Sequence, residues 1–376
     1  MKLAVLREGR DAEKRVAATP ETVKKLKGLG FEVSVETCAG ALAHIPDSAY
    51  TGAGAIIDPD LETTLKDADV ILSVQGLEAA DAAKAKKGAA LIAILNPFQE
   101  RGRIKAYADA GLMAFAMEFV PRITRAQTMD VLSSQSNLAG YKAVLDAAYE
   151  YGRAFPMMMT AAGTVPPAKV MIMGAGVAGL QAIATAKRLG AIVSATDVRP
   201  VAKEQVESLG GKFVMVEDEE TKAAETEGGY AKEMSDEYKA KQAALIAETL
   251  TKQDIVITTA LIPGRKAPVL ITEDMVKTMK PGSVIVDLAV ESGGNCELSK
   301  PGEVVEAFGV KIIGHKNVPS RLAADSSALY ARNLVHFITP HVTEGALVFD
   351  FEDQIIADTL VTKDGAIVND RLKEGE

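Results

Sequence analysis

Gly174-Ala175-Gly176-Val177-Ala178-Gly179 is the segment of this 376-residue chain whose residue types and spacing point most directly to chemistry. Each glycine has a separate task. The first permits a tight turn out of a strand, and the second lets the backbone approach a pyrophosphate with no Cβ in the way. The third lets the following helix pack closely on the sheet. An apolar run at 170–173 precedes the glycines, and a helical pattern at 180–189 follows and stops at Gly190. A helix that starts there offers free N–H groups and a positive dipole to phosphate. A second apolar run, 192–196, leads to Asp197, close to the ~20-residue offset at which such folds place an acid for the ribose hydroxyls. The charge of Asp197 repels a 2′-phosphate and favours NAD(H), while Arg199 keeps NADP(H) open. The plain alternative is a glycine turn in an α/β domain that binds nothing. The strand, glycines, helix and acid falling in one register count against it.

Oxidation of an alcohol or amine moves a proton as well as a hydride and needs a positioned acid or base. The histidines are His44, His315, His336 and His341. None sits in a recognisable acid/base motif, and the spacing of His336 and His341 suits no usual metal pair, so no metal is assigned. Hydride exchange between two nicotinamides is chemically different, because no proton moves. It requires ring carbons brought to about 3–3.5 Å and water kept out. Residues 122–133 hold polar groups able to orient a carboxamide, among them Arg122, Gln127, Asp130 and Ser133. Read alone, that segment is equally a capped loop entering a helix.

These groups need a scaffold. The length predicts two domains. Hydrophobic residues are 48% of the chain, aromatics 5%, and Trp is absent, which suits parallel sheets covered by Ala-rich helices. Strands are expected at 2–6, 31–35, 70–74, 89–95 and 112–119, with a helix from the Thr19-Pro20-Glu21 cap to about Gly28. A long helix is expected at 133–154, followed by an irregular junction at 155–167. A second series follows, with strands at 170–173, 192–196, 212–216, 255–259, 284–288 and 311–313, then a helix at 323–338. Residues 217–241 are acidic and aperiodic, and read as a solvated loop or as a mobile lid. The tail after Pro340 is too small to fold alone and is expected on the first domain, ending in a frayed segment, 371–376. The net charge of -9 and the lack of a basic stripe speak against nucleic acid. Cys38 and Cys296 share no metal or redox spacing, so a reducing compartment fits. The longest uncharged stretch, 170–186, is short for a membrane span, and no direct membrane insertion is expected.

The chain resembles the soluble NAD(H)-binding subunit (domain I, alpha-1) of proton-translocating NAD(P) transhydrogenases. The likeness covers nearly the whole sequence and is densest at 122–145, 155–197, Gly228-Gly229-Tyr230-Ala231-Lys232-Glu233-Met234, and 258–295. It implies an α/β fold of two Rossmann-like domains with mostly parallel sheets, linked by long helices, with the cofactor in the interdomain cleft. Residues 1–132 with 330–376 would form the first domain, and 133–329 the NAD(H)-binding domain. The resemblance gives Arg122, Gln127 and Asp130 the catalytic, nicotinamide-orienting role, with Ser133 beside them. Its cofactor contacts fall on Gly174, Gly176, Val177, Ala178, Gly179, Asp197, Val198, Arg199, Ala260 and Leu261, and on Gly229 and Tyr230 in a loop that closes over nucleotide. It further implies a homodimer that docks on an NADP(H)-binding partner with membrane subunits. Hydride would pass directly from NADH to NADP⁺, coupled to proton flow, at the cytoplasmic face of the membrane.

Alanine dehydrogenases share the fold and are the rival family. Arg15 matches their carboxylate-gripping arginine, but Gln75 and Asn96 fall where that family has a lysine and a histidine, and Glu291 replaces its aspartate. Gln and Asn shuttle no protons at neutral pH, and Arg15 then reads as structural. The chain departs from the transhydrogenase pattern at 75–85 and 96–102.

Overall fold

The computed structural model describes residues 1–199, 201–216, 235–262 and 264–373. The chain divides into two compact units, Met1–Gln135 with Pro319–Glu376, and Ser136–Val318. The second boundary falls earlier than the helical pattern alone suggests. Residues that follow it are tied to the first unit: Ser320 Oγ accepts the Lys14 N–H at 2.6 Å, Ser327 Oγ accepts that of Val16 at 3.0 Å, and the Tyr330 hydroxyl donates to Ser73 O at 2.9 Å.

The first unit holds an eight-stranded sheet. In spatial order its strands are Ala366–Ile367, Leu360–Lys363, Met113–Ala116, Ala90–Ala93, Val70–Leu72, Lys2–Val5, Glu32–Glu36 and Ile56–Asp58. The first six in sequence are mutually parallel, with Leu3 opposite both Val33 and Val70. The last two add antiparallel at one edge. The parallel core has the 3-2-1-4-5-6 order of a doubly wound fold, which places its topological switch point between Lys2–Val5 and Val70–Leu72. These strands are apolar on both faces because helices cover both: Leu3, Ala4, Val5, Val70, Ile71 and Leu72 are all fully buried. The helix Pro20–Gly28 starts as its cap predicts. Thr19 Oγ1 accepts the Thr22 N–H, Pro20 occupies the first turn, and Gly30 (φ +92°) turns the chain back.

The second unit repeats the plan. Its sheet runs Lys212–Phe213, Ile192–Thr196, Lys169–Met173, Ile255–Thr258, Val284–Asp287, Val310–Ile313 and Val304–Ala307. All pairs are parallel except the last. The switch point lies between Lys169–Met173 and Ile255–Thr258.

Several elements differ from expectation. The long helix is Val131–Glu150, starting earlier because Asp130 caps it and ending before 154. The supposed junction contains a two-stranded hairpin, Met158–Thr160 with Gly163–Val165. Ile56–Asp58 and Val304–Ala307 are edge strands too exposed to leave an apolar run. The helix Asp236–Leu250 enters the stretch expected as loop, with Ser235 Oγ accepting the Tyr238 N–H. The charged terminus is helical over Asp370–Lys373 because Leu372 is buried. Among the described residues no helix is long and apolar enough to cross a membrane.

Candidate functional site

The glycine loop of the second unit leaves the strand Lys169–Met173 and enters the helix Val177–Arg188. Gly174 has φ +106°, and a Cβ there would sit 2.5 Å from Thr259 Oγ1. A Cβ on Gly179 would fall 1.8 Å from Gly174 O, so the helix meets the turn with no room for a side chain. Gly176 differs. A Cβ there would meet nothing within 4 Å, and no side chain caps the helix start at this residue. The loop thus presents uncapped N–H groups beside open space, which is what a bound phosphate requires. Val177, at the helix start, is exposed.

Asp197 follows the neighbouring strand. Its Oδ2 accepts the Ala175 N–H at 2.7 Å, and its Oδ1 accepts the Arg199 N–H at 2.8 Å. The Arg199 guanidinium closes on the same carboxylate, Nε to Oδ1 at 2.9 Å and Nη2 to Oδ2 at 3.0 Å. Burial pushes this carboxyl up, but the hydrogen bonds from Arg199 and Ala175 outweigh it and hold Asp197 below the usual carboxylate range. Val198 is almost fully exposed beside it. Ala260 and Leu261 follow the strand Ile255–Thr258. Thr259 Oγ1 donates to Gly174 O at 3.1 Å, which puts the start of that segment next to the first glycine.

One residue unmarked by any motif completes the loop. Gly140, within the helix Val131–Glu150, lies so near the glycine loop that a Cβ would come 2.0 Å from Ala178 O. A glycine inside a helix is a signal in itself, since it weakens the helix unless packing demands it.

In the first unit, Asp130 and Ser133 meet: Asp130 Oδ1 accepts the Ser133 N–H at 2.9 Å and Oδ2 its hydroxyl at 2.5 Å. The preceding 3-10 turn Thr124–Met129 is tethered by Asn333, whose Nδ2 donates to Thr128 O at 2.8 Å. Arg122 and Gln127 are exposed on this loop. Gly229 and Tyr230 lie outside the described residues.

The first unit's own switch point is filled from within. Arg15 is buried, and its guanidinium donates from Nε and Nη2 to both oxygens of Glu13 at 2.8 and 2.6 Å, and from Nη1 to Gln135 Oε1 at 2.8 Å. Burial raises the Glu13 carboxyl, but its hydrogen bonds to Arg15 overcome that and bring it to about 2. Gln75 Nε2 donates to the same carboxylate at 2.9 Å. Burial pushes Glu8 to about 8 although it accepts the N–H groups of Val74 and Gln75. Asn96 (φ +52°) donates its N–H to Glu118. Glu291 accepts the Asn317 N–H at 2.8 Å. A substrate carboxylate could reach Arg15 only by replacing Glu13. Among the described residues no group of three or more His, Cys, Asp or Glu is placed to hold a metal.

Residues 4–139 match the family model described as alanine dehydrogenase/PNT, N-terminal domain, and residues 143–370 match the corresponding C-terminal domain. The first portion of the NAD(P) transhydrogenase alpha subunit of Rhodospirillum rubrum, a separate chain, is 59% identical over 99% of both chains. The crystal structure of transhydrogenase from Sinorhizobium meliloti superposes with a TM-score of 0.90 at 56% identity, covering 98% of this chain and 100% of that one. A structure of L-alanine dehydrogenase superposes with a TM-score of 0.83 at 25% identity, covering 100% of this chain and 98% of that one.

Proposed function

The chain belongs to the alanine dehydrogenase/PNT family, and we propose that it is the NAD(H)-binding subunit of a proton-translocating transhydrogenase. Its relatives' names support the transhydrogenase branch over the amino-acid branch. The observation that carries the choice is the state of Arg15, whose charge is already satisfied by Glu13, with Gln75 and Asn96 offering no proton-transfer group beside it.

NADH would supply the hydride at its nicotinamide ring. The chain's residues have the remaining tasks. The uncapped N–H groups at Gly176–Gly179 hold pyrophosphate, Asp197 accepts from the adenosine ribose, with Val198 and Arg199 beside it, and Ala260 and Leu261 line the other half. Arg122, Gln127, Asp130 and Ser133 orient the carboxamide and keep water away, and Gly229 and Tyr230 close over the nucleotide. No side chain needs to move a proton. The acceptor is NADP⁺ on a partner subunit, and the membrane subunits couple the transfer to proton movement, so the chain works at the cytoplasmic face through its partners. It acts as a homodimer. The isolated hairpin Met158–Thr160/Gly163–Val165, with Met157, Met158 and Met159 exposed, is marginal in water alone and gains from burial against a second copy.

The test mixes purified chain with the NADP(H)-binding subunit and follows reduction of an NAD⁺ analogue by NADPH. Reduction should require both proteins. NADH oxidation by the chain alone with pyruvate and ammonia, at an ordinary dehydrogenase rate, would instead establish the amino-acid activity.

A further inference from the structure

Ala260 begins the chain's exit from the fourth strand of the nucleotide fold, and both of its backbone polar groups are claimed by one buried side chain. Asn295 is fully buried. Its Oδ1 accepts the Ala260 N–H at 3.0 Å, and its Nδ2 donates to Ala260 O at 2.9 Å and to Pro268 O at 2.8 Å. The side-chain amide thus pairs with Ala260 as a neighbouring peptide would, and it pins the two ends of the 260–268 segment together. Three bonds from one amide leave little freedom to either end.

Asn295 is itself held. Its N–H donates to Asp287 Oδ2 at 2.9 Å, and its carbonyl accepts the N–H groups of Leu270 and Ile271 at 2.8 and 3.0 Å. Asp287, buried at the end of the fifth strand, also accepts from Cys296 N–H at 3.1 Å, Ala289 N–H at 2.9 Å, Ser299 Oγ at 2.6 Å and Thr258 Oγ1 at 3.2 Å. A Cβ on Gly294 (φ +79°) would lie 2.6 Å from Ser299 Oγ and 3.0 Å from Asp287 Oδ2, so the turn that delivers Asn295 needs glycine there. A buried carboxylate bound wholly by donors is a strong organiser.

In a doubly wound fold the first three strands serve one mononucleotide half and the strands beyond the switch point serve the other. Asp197 belongs to the first half and Ala260 to the second. We propose that Asn295, braced by Asp287, is a positioning residue for the nicotinamide half of the site. It sets the course of the chain from Thr259 to Leu261, so that the exposed Leu261 and Ile262 side chains face the ring end of the cofactor while Ala260 contributes shape and no hydrogen bond. The inference rests on the nucleotide reading above.

The experiment compares affinities of the full-length chain for NADH and for AMP, which probes the adenosine half alone. Asn295→Ala and Asn295→Asp should each lose about tenfold in NADH affinity and change less than about twofold for AMP. Should either variant fail to fold, Ser299→Ala, which removes one donor to Asp287 from farther out, should show the same split at about two- to threefold. Equal losses for both nucleotides would make Asn295 a general support of the fold and overturn the proposal, as would unchanged NADH affinity. A wild-type chain that binds neither nucleotide would remove the nucleotide reading itself, a failure visible before any substitution is made.

Discussion

Asp197 Oδ2 accepts the Ala175 N–H at 2.7 Å, so the acid after the second strand is tied to a glycine loop 22 residues behind it. The same carboxylate takes three donors from Arg199. A carboxylate offers about four acceptor sites, and here all four are used. Ribose hydroxyls can bind only as the Arg199 side chain, half exposed, moves aside.

Asp197→Asn should therefore weaken NADH binding at least tenfold, the scale of about one lost charge-assisted hydrogen bond, and narrow the preference for NADH over NADPH. Titration of both nucleotides by their own fluorescence checks it. Unchanged affinities would remove Asp197 from the site.

Gly140→Ala places a methyl against Ala178 O, at the first turn of the helix that would hold phosphate. Overpacking of this kind costs about 1–3 kcal/mol, and the shift it forces should also lower NADH affinity. Urea unfolding with and without NADH reads both effects. A variant as stable as wild type would mean the two helices separate freely.

Removing Arg15 leaves Glu13 as a buried carboxylate without its counter-ion. Arg15→Met should cost about 3–5 kcal/mol, seen as a lower urea midpoint. A midpoint close to wild type would show that Arg15 is free for a ligand, and would revive the amino-acid reading.

The Glu8 carboxyl is raised from 4.5 to about 8 by burial. Between those values the folded chain keeps a proton that the unfolded chain has released, so stability falls as pH rises through that window. Glu13 works oppositely: its carboxyl is lowered to about 2, and its contribution is present above 4.5 and lost only as pH falls towards 2. Melting temperature should decline from about pH 5 to pH 8, and Glu8→Gln should flatten the decline. Parallel curves for the two proteins would contradict this.

What could be read in advance was local. The glycine loop, its helix and Asp197 sit within one βαβ unit, and each reports itself by residue type at short range. The parallel core strands were equally legible, since burial on both faces leaves continuous apolar runs such as Val70–Leu72 and Ile255–Thr258. Edge strands were not: Val304–Ala307 alternates exposed and half-buried residues and looks like loop. Long-range partners left no local trace. Nothing near Asn295 in the sequence points to Ala260, 35 residues away, and the pairing of Arg15 with Gln135 spans 120. Gly140 carried a hint, a glycine in a helical run, but its partner Ala178 is visible only in three dimensions.

The central claim is direct hydride transfer with no proton relay, and isotope tracing tests it most directly. The chain and the NADP(H)-binding subunit are incubated in ordinary water with an NAD⁺ analogue and NADPH carrying deuterium at the transferred position. Full recovery of the label in the reduced analogue is predicted, at a rate that depends on both proteins. Loss of the label to water, or transfer to a small metabolite by this chain alone, would contradict the account.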